Sequence, residues 1–470
     1  MIKKVDVAIL GAGSASLFAL REIKKVTNNF VLIDPGPLGT TCARVGCVPS
    51  KLLVQAANDF HNRMKFERQG IQGGERLSVD RQKLLKYVRG QRDHFVGFLM
   101  KIIEENKDHL ISERAEFISS NVLKIGSNEI QAQKIIIATG SRPKMLPEWK
   151  QFGDQIFTSN ELFELNDFPD RIAVLGLGAV GSELGQAMSR LGVEVTAFNM
   201  DSKLSGLTDP VIQQQASEIF SSEFTVMVGT PPGIEKHQNT LQLRTENKVI
   251  SVDAILASIG RVPNVDNIGL ENTGAQLDKK GIPFFDPTTM QLKGLPIFIA
   301  GDVAGSLAVL PEAADEGRIA GYNSVREVQC FQRRIKMSIA FTSPQIAMVG
   351  MSFEELKNHD FATGEVNFKD QGRSVIMQEN KGMLRVYGRS EDGLLLGAEM
   401  IAPDGEHLAH ILALAIHRKM TVFDLLLMPF YHPVVEQGLR TALRELAGKV
   451  KTKTSSLELV MCGEELDSFA

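Results

Sequence analysis

Two cysteines lie close together in the segment TCARVGCVPSK, where four residues separate Cys42 from Cys47. In a regular helix, Cα atoms five positions apart lie about 8 Å from each other, beyond the ~4.4–6.8 Å range of a disulfide. A bridge would therefore require a distorted turn, which Gly46 makes easier. Pro49 suits the first turn of a following helix, so Cys47 is expected near a helix N-terminus, where the dipole favours a thiolate.

This pair could carry redox chemistry, could be two buried thiols that happen to be close, or could belong to a zinc site. The remaining cysteines, Cys330 and Cys462, form no matching pair for zinc, and both are expected to be packing or surface residues. Four cysteines in 470 residues are too few for disulfides to be the main source of stability. The close pair therefore favours chemistry over architecture, and we predict no metal site.

A histidine with neighbouring polar residues occurs in the segment FYHPVVEQGLR. Pro433 biases His432 to an extended backbone just ahead of a helix, and Glu436 and Gln437 lie on the first turn of that helix. An acid/base histidine needs a partner on its second nitrogen to fix its tautomer and orientation. Alone, His432 would be interpreted as a capping or core residue; beside a dithiol motif, it is a candidate proton carrier.

A glycine-rich turn, GAGSAS, follows a predicted strand and opens a predicted helix. Gly11 permits a tight turn, and Gly13 lets the main chain approach a pyrophosphate at the positive helix N-terminus. The third position is Ser16, a small residue that still permits close helix–strand contact. Asp34 ends the next strand, where it could accept hydrogen bonds from ribose hydroxyls, so the segment predicts dinucleotide binding.

A second turn, GLGAVG, has the full fingerprint of Gly176, Gly178 and Gly181, and its following strand ends at Asn199. The first glycine and the strand end are 23 positions apart in both segments, 11 to 34 and 176 to 199. Two similar folds therefore indicate two nucleotide-bearing ligands. The uncharged Asn199 excludes a 2′-phosphate less well than an acid would. However, no arginine follows it immediately to bind such a phosphate, and Lys203 is the only nearby cation. NAD is therefore favoured, while NADP stays open.

The elements that must position these residues alternate between helices and strands. Residues 50–110 carry helical apolar periodicity, and strand-like runs follow up to KIIIATGSRP. Residues 222–265 are β-rich, and IFIAGDV near 297–303 is typical of a buried strand ending in a turn, with a helix after it. From about residue 336 the pattern changes to antiparallel strands and then helices. The last twenty or so residues are expected to form a tail with one short ordered piece.

The composition is that of a sizeable enzyme. A chain of 470 residues favours two to four domains, and 43% apolar with 23% charged residues is ordinary for globular proteins. The net charge of −4 argues against a nucleic-acid scaffold or a basic membrane binder. No apolar run approaches the ~18 residues of a membrane span. The N-terminal apolar stretch is too short for a signal peptide, so we expect a cytoplasmic, reducing location.

Taken in order, the motifs resemble those of the flavin-dependent pyridine nucleotide–disulfide oxidoreductases, and most resemble the dihydrolipoamide dehydrogenase branch. The resemblance covers residues 4–450 approximately. It rests on GAGSAS, TCARVGCVPSK, ATGSRP, GLGAVGSELG, ASIGRVPN, IFIAGDV, FTSPQIAMVG and the histidine–proline segment. The two-cysteine segment followed by VPSK is the most specific of these, and the shared order makes the match strong.

The resemblance implies an α/β fold with two Rossmann-like dinucleotide-binding domains and a C-terminal α+β dimerisation domain. The implied division is an FAD-binding domain (1–148 and 266–336), an NAD(P)-binding domain (149–265), a dimerisation domain (337–450) and a tail (451–470). It also implies a homodimer in which His432 of one subunit completes the active site of the other.

The same resemblance implies the cofactor contacts. Asp34 would contact the FAD ribose and Asp302 the ribityl chain, while Lys51 and Glu183 would form an ion pair beside the reactive flavin nitrogen. The implied FAD residues are Gly11, Gly13, Ser14, Ala15, Asp34, Thr41, Lys51, Thr139, Gly140 and Asp302. The implied NAD residues are Gly176, Gly178, Val180, Gly181, Glu183, Asn199 and Gly260.

The implied chemistry is electron transfer between NAD(H) and a dithiol, either a small molecule or a lipoyl domain, as part of cell redox homeostasis. Cys42 and Cys47 would form a redox-active disulfide, with Cys47 against the flavin, Cys42 exchanging with substrate and His432 holding the proton. The alternatives are an NADPH-dependent reductase of another disulfide (glutathione-like, mercuric or protein) and a flavin redox sensor without turnover.

Three positions depart from the family pattern. Asn199 leaves the nicotinamide preference open. Gln437 stands where the family has glutamate, with Glu436 one residue earlier, and a glutamine would stabilise a charged His432 less. Phe341 and Gln345 stand where tyrosine and glutamate are common, which would alter contacts at the centre of the dimer.

Overall fold

The computed structural model describes residues 2–229, 231–453 and 457–460, so Cys462 lies outside the described residues. The chain forms two compact units. The first unit comprises Met1–Leu52, Leu85–Lys144 and Gly260–Arg333, and the second comprises Leu53–Leu84, Met145–Ile259 and Arg334–Ala470. Because the second unit contains segments from both the implied NAD(P)-binding and dimerisation domains, the four-part division of the sequence stays a prediction.

The strands span short and medium lengths along the whole chain. They are β1 Ile2–Leu10, β2 Phe30–Ile33, β3 Leu110–Ile111, β4 Ala115–Ser119, β5 Val122–Ile125, β6 Asn128–Ile137, β7 Ser141–Pro143, β8 Ile156–Phe157, β9 Arg171–Leu175, β10 Glu194–Asn199, β11 Thr225–Val228, β12 Gly233–His237, β13 Thr240–Arg244, β14 Val249–Val252, β15 Ala254–Ala257, β16 Arg261–Pro263, β17 Ile297–Ile299, β18 Met337–Ala340, β19 Gln345–Gly350, β20 Phe361–Asn367, β21 Met383–Arg389 and β22 Leu395–Ala402.

The α-helices include the two that follow the glycine turns and the two that carry the cysteines. They are α1 Ser14–Ile23, α2 Thr41–Val45, α3 Cys47–His61, α4 Arg81–Glu104, α5 Ser159–Leu162, α6 Ala179–Arg190, α7 Pro210–Ser221, α8 Leu310–Ser324, α9 Phe353–Leu356, α10 Gly372–Ile376, α11 Gly405–His417, α12 Val422–Leu426 and α13 Glu436–Lys449.

The first unit is built on a seven-stranded sheet in the order β3-β2-β1-β6-β5-β4, with β17 also paired to β6. Strands β3, β2, β1, β6 and β17 are parallel, whereas β4 and β5 form an antiparallel extension. Strands β2 and β17 and the C-terminal ends of β1 and β6 are runs of buried apolar residues, as expected when both faces of a sheet are covered. The predicted strand–turn–helix–strand unit at the N-terminus is therefore confirmed.

Helices α1 and α8 of this unit cross at very short range. A Cβ atom on Gly317 would lie 2.2 Å from the carbonyl oxygen of Ala15, and one on Gly321 would lie 2.4 Å from that of Ala19. Only glycine fits such an approach. The helix predicted after IFIAGDV, α8, is thus packed tightly against the first two turns of α1.

The second unit contains two further main sheets. One is parallel in the order β11-β10-β9-β15-β8, and the other is antiparallel in the order β18-β19-β22-β21-β20. Helices α11, α12 and α13 cover the antiparallel sheet and share its apolar core. The parallel sheets and the C-terminal α+β region confirm the predicted fold class.

Candidate active site

The two cysteines lie where two helices meet. Cys42 is on α2, Cys47 is the first residue of α3, and Gly46 lies between the helices. The Thr40 hydroxyl caps α2 by accepting a hydrogen bond from the Ala43 N–H at 3.2 Å. Cys42 and Cys47 form a disulfide with their Cα atoms 4.7 Å apart. This confirms the predicted bridge, and the interruption at Gly46 supplies the distorted turn that it requires.

Cys47 occupies the N-terminal end of a long helix. Pro49 lies in the first turn of α3, as predicted, where its missing N–H costs no intrahelical hydrogen bond. The 15-residue helix presents its positive dipole end to the Cys47 sulfur. Upon reduction, this position favours a thiolate at Cys47.

The first glycine turn leaves open space in front of the N-terminus of α1. Gly11 has φ +104°, and a Cβ there would lie 2.4 Å from the Ala138 carbonyl oxygen, so no other residue fits. Gly13 caps α1 without a side-chain hydrogen bond, and a Cβ on it would meet no described atom within 4 Å. Ser14 and Ala15 begin the helix, leaving main-chain N–H groups without intrahelical partners.

Asp34 braces this turn. Its carboxylate accepts hydrogen bonds from the main-chain N–H groups of Ala12 at 2.6 Å and Gly36 at 2.7 Å. Each carboxylate oxygen has capacity for a second hydrogen bond, so this role leaves room for a ribose hydroxyl.

The second glycine turn repeats this design. Gly176 has φ +91° and lies against Ser258, while Gly178 caps α6 without a side-chain hydrogen bond. A Cβ on Gly181 would lie 1.9 Å from the Gly176 carbonyl oxygen, which explains the glycine at this third position. Asn199 takes the place of Asp34, because its Oδ1 accepts a hydrogen bond from the Leu177 N–H at 2.8 Å.

The charges beside Asn199 are largely engaged with one another. The Asn199 amide donates to the main-chain oxygen of Asp201 at 2.7 Å, and the Asp201 carboxylate accepts from the Lys203 N–H at 2.8 Å. The Lys203 ammonium pairs with Glu354 at 2.7 Å, which lowers the pKa of Glu354 and raises that of Lys203. The cation that could receive a 2′-phosphate is therefore already neutralised.

Asp302 begins a short 3₁₀ turn after β17 and is held by residues that the sequence motifs contained but did not single out. Its Oδ2 accepts a hydrogen bond from the Ser141 hydroxyl at 2.6 Å, and Arg261 Nε lies 3.7 Å away. The buried Glu316 accepts from the N–H of Gly301, the preceding residue, at 2.8 Å, and its burial raises the pKa of its carboxyl. Ser141 and Arg261 were detectable as the polar residues of ATGSRP and ASIGRVPN.

The remaining ATG segment is also anchored. Thr139 donates its hydroxyl hydrogen to the Asn264 carbonyl oxygen at 2.7 Å, and the Asn264 amide donates back to the Thr139 carbonyl at 2.9 Å. Gly140 and Gly260 both have positive φ, at +69° and +102°, and each lies immediately before one of the paired strands β7 and β16.

His432 and Gln437 are brought together at the start of α13. Nδ1 of His432 lies 2.9 Å from the amide oxygen of Gln437, and the His432–Pro433 peptide bond is cis. With this oxygen as acceptor, Nδ1 carries the ring proton and Nε2 keeps its lone pair. Of the two candidates for orienting His432, the structure places Gln437 in hydrogen-bonding contact.

Helix α6 carries a buried polar face that holds the segment after β18. Glu183 accepts a hydrogen bond from the Phe341 N–H at 2.8 Å, and Gln186 accepts from the Ser343 N–H at 2.8 Å. Both contacts use main-chain atoms, so the departure at Phe341 leaves them intact. The ion pair between Lys51, on α3, and Glu183 stays a prediction.

The other departure in this segment has a local role. The Gln345 side chain accepts a hydrogen bond from the Glu406 N–H at 2.7 Å, at the N-terminus of α11. Two predicted site residues remain to be placed: Thr41 opens α2, and Val180 is an exposed residue of the first turn of α6.

Most of the chain matches two models of one protein family. The model of the pyridine nucleotide-disulphide oxidoreductases matches residues 5–317, and that of their dimerisation domain matches residues 337–443. The chain belongs to the pyridine nucleotide-disulphide oxidoreductases. The Cys42–Cys47 disulfide therefore belongs to a disulfide oxidoreductase enzyme, and the predicted resemblance is confirmed.

Individual family members are similar over nearly the full length. The chain is 29% identical over 456 residues to a dihydrolipoyl dehydrogenase of Thermus scotoductus, covering 95% of this chain and 98% of the other. It is 26% identical over 451 residues to that of Geobacillus stearothermophilus, covering 92% and 94%.

Solved structures share the fold. LpdA of Mycobacterium tuberculosis superposes with a TM-score of 0.82 at 23% identity, covering 95% of this chain and 100% of the other. The HOCl-induced flavoprotein disulfide reductase RclA of Escherichia coli, as its Cu(II) complex, gives 0.79 at 23% identity, covering 95% and 100%. Within the described residues of the present chain, no helix is both long and apolar enough to cross a bilayer.

Proposed function

We propose that this oxidoreductase uses FAD and NAD(H) and acts on a dithiol of the lipoamide type. The observation that carries the proposal is the Cys42–Cys47 disulfide at the N-terminus of α3, in a chain with two glycine turns that each open a helix and could bind a phosphate. The similarity to two dihydrolipoyl dehydrogenases over more than nine-tenths of the chain supports the substrate. The net reaction is dihydrolipoamide + NAD⁺ → lipoamide + NADH + H⁺.

The residues of the first glycine turn fit FAD. The open space at Gly13 and the free N–H groups of the first turn of α1 suit a pyrophosphate, and Asp34 would take a ribose hydroxyl. Asp302, already fixed by Ser141, would face the ribityl chain. When bound, FAD supplies a two-electron carrier between the cysteine pair and the nicotinamide.

The exchange step uses the chain's own sulfurs. A substrate thiolate attacks the Cys42 sulfur, the S–S bond breaks, and Cys47 leaves as a thiolate that the α3 dipole stabilises. The second substrate thiolate then attacks the substrate sulfur of the mixed disulfide, which releases Cys42 as a thiolate and closes the lipoamide ring. Nε2 of His432 takes the proton from the attacking thiol, because Gln437 holds the other ring nitrogen protonated.

We propose NAD rather than NADP as the coenzyme. Asn199 adds no positive charge at the end of β10, and Lys203 is paired with Glu354. A 2′-phosphate would therefore find no uncompensated cation in this group. The predicted homodimer, with His432 completing the partner's site, is part of the proposal and is supported by the match to the dimerisation domain at residues 337–443.

A direct assay tests this proposal. The purified protein should be yellow and should reduce NAD⁺ with dihydrolipoamide at a higher kcat/KM than with NADP⁺. The Cys42→Ser and Cys47→Ser variants should lose this turnover, whereas Cys330→Ser, which removes an exposed free thiol, should retain it. Turnover with glutathione or a protein disulfide and NADPH, but not with lipoamide, would assign the alternative reductase function instead.

A further inference from the structure

Within the described C-terminal residues 457–460, Glu458 binds the helix that carries Gln437. Glu458 accepts hydrogen bonds from Arg440, with its Nη2 at 2.6 Å, and from Arg444, with its Nε at 2.5 Å. The Glu458 side chain is 15% exposed, although it lies near the end of the chain. The guanidinium of Arg444, followed by that of Arg440, lowers the pKa of this carboxyl.

The two arginines share a helix face with Gln437. Gln437, Arg440 and Arg444 are spaced i, i+3 and i+7 along α13, which places them in one row. Arg440 begins about 4.5 Å further along the axis than Gln437. The Glu458 contact is therefore made on the row of side chains that begins with the partner of His432.

Arg440 also contacts the chain on the other side of His432. Its guanidinium carbon lies 5.7 Å from the centroid of the Phe430 ring. Phe430 packs against the apolar core of the C-terminal sheet and precedes His432 by two residues. The Glu458–Arg440 pair thus touches both the helix that bears Gln437 and the loop that bears His432.

We propose that Glu458 is a positioning residue: by joining Arg440 to Arg444 it fixes the relative placement of the His432 loop and the first turns of α13. This proposal rests on the proposed function of His432 as the proton carrier. It gives the C-terminal segment a role in catalysis without contact to substrate. The carboxylate also neutralises two cations that would otherwise oppose protonation of His432.

Other charges belong to the same end of the helix. Glu436, on α13, interacts electrostatically with Asp404, which precedes α11. Asp404 in turn interacts with Glu379, Glu406 and His407, and its burial raises the pKa of its carboxyl. These groups stay unchanged when Glu458 is replaced, so a shift in the behaviour of His432 would be due to the Glu458 contact.

The test compares Glu458→Gln with Glu391→Gln in the full-length holoenzyme. Glu391 binds Lys451 at 3.1 Å, an exposed pair that also ties the C-terminal stretch but lies off α13. In Glu458→Gln, kcat for dihydrolipoamide oxidation should fall about fivefold, and the acid limb of its pH profile should move about 0.3 unit to lower pH. Glu458→Asp should recover part of the loss. NADH oxidation by ferricyanide, which needs no thiol proton transfer, should not change.

Hydrogen exchange provides a readout that does not depend on turnover. Peptides covering residues 428–441 should exchange about threefold faster in Glu458→Gln than in the wild type or in Glu391→Gln. If an active wild type and Glu458→Gln share the same kcat and pH profile, the positioning role is wrong. If the wild type lacks dithiol turnover, the proposed function fails, and exchange alone then decides whether Glu458 holds this region: faster exchange retains the placement role, and unchanged exchange eliminates it.

Discussion

Asp34 and Asn199 make the same hydrogen bond in the two strand–turn–helix–strand segments of the chain. Each side chain accepts a hydrogen bond from the main-chain N–H of the residue 22 positions earlier, Ala12 at 2.6 Å and Leu177 at 2.8 Å. An amide oxygen can accept this main-chain hydrogen bond as a carboxylate oxygen does. The change from acid to amide at Asn199 therefore leaves the turn intact and alters only the charge offered to a bound nucleotide.

The charge at Asn199 should govern the choice of coenzyme. In Asn199→Asp the carboxylate can keep the Leu177 hydrogen bond while repelling a 2′-phosphate, so kcat/KM with NADPH should fall about tenfold relative to NADH. The measurement is kcat/KM for both coenzymes with one disulfide acceptor. The matched control is Asp34→Asn, the reverse exchange on the first turn, which should leave the NADH-to-NADPH ratio unchanged. An unaltered ratio in Asn199→Asp would show that this residue does not contact the nucleotide.

The partner on Nδ1 should set the basicity of His432. In Gln437→Glu a carboxylate replaces the neutral amide oxygen at 2.9 Å and stabilises the protonated imidazolium form of His432. Because dihydrolipoamide oxidation needs the neutral imidazole, the acid limb of its rate profile should move to higher pH. Glu436→Gln serves as the control and should not move it. The opposite pattern would identify Glu436 as the partner during turnover.

The location of His432 in the dimer can be tested by complementation. If each active site combines the cysteines of one subunit with His432 of the partner subunit, Cys42→Ser and His432→Gln subunits should rescue one another. Random mixing makes half of the dimers mixed, each with one intact site, so activity should reach about one quarter of the wild type. Each variant alone is the control. No recovery in confirmed mixed dimers would place the histidine and the cysteines in the same subunit.

The features that the sequence predicted are those controlled by neighbours along the chain. Gly11 and Gly176 must adopt positive φ, and Gly46 must separate two helices. Short sequence motifs that contain these glycines therefore predict the local backbone conformation. The His432–Pro433 segment beside a dithiol motif made His432 an acid/base candidate, and the family pattern then joined Cys42 to Cys47. In each case a few adjacent residues determine the geometry.

The features that the sequence did not predict depend on residues far apart in the chain. Lys203 is neutralised by Glu354, 151 positions later, and no local pattern links them. The choice of Gln437 over Glu436 depends on how the His432 loop enters α13, a difference of one residue on a helix. The binding of Glu458 to α13 involves a tail whose composition predicted only a short ordered piece.

A buried polar cluster in the second unit should contribute more to its stability than an exposed ion pair does. The fully buried Asp209 caps α7 by accepting from the Val211 N–H at 2.9 Å, binds Arg385 at 2.6 Å, and accepts from the Tyr387 hydroxyl at 2.9 Å. Burial, followed by the charge of Glu399, strongly raises the pKa of Tyr387, so its hydroxyl stays a donor at all ordinary pH values.

Removing the carboxylate from this cluster would leave the largely buried Arg385 guanidinium with its ion pair to the more exposed Glu365, at 3.0 Å, but without its buried partner. Asp209→Ala should lower the free energy of unfolding of this unit by about 3 kcal/mol, because it also removes the α7 cap, and Tyr387→Phe should lower it by about 1 kcal/mol. The fluorescence of Trp149, the only tryptophan and a residue of the same unit, can follow unfolding in urea. Asp392→Ala, which breaks the exposed Asp392–Arg389 pair and a turn hydrogen bond from the Leu394 N–H, should lower the urea midpoint much less than Asp209→Ala does. Equal midpoints for Asp209→Ala and Asp392→Ala would mean that the buried cluster contributes no more than a surface ion pair.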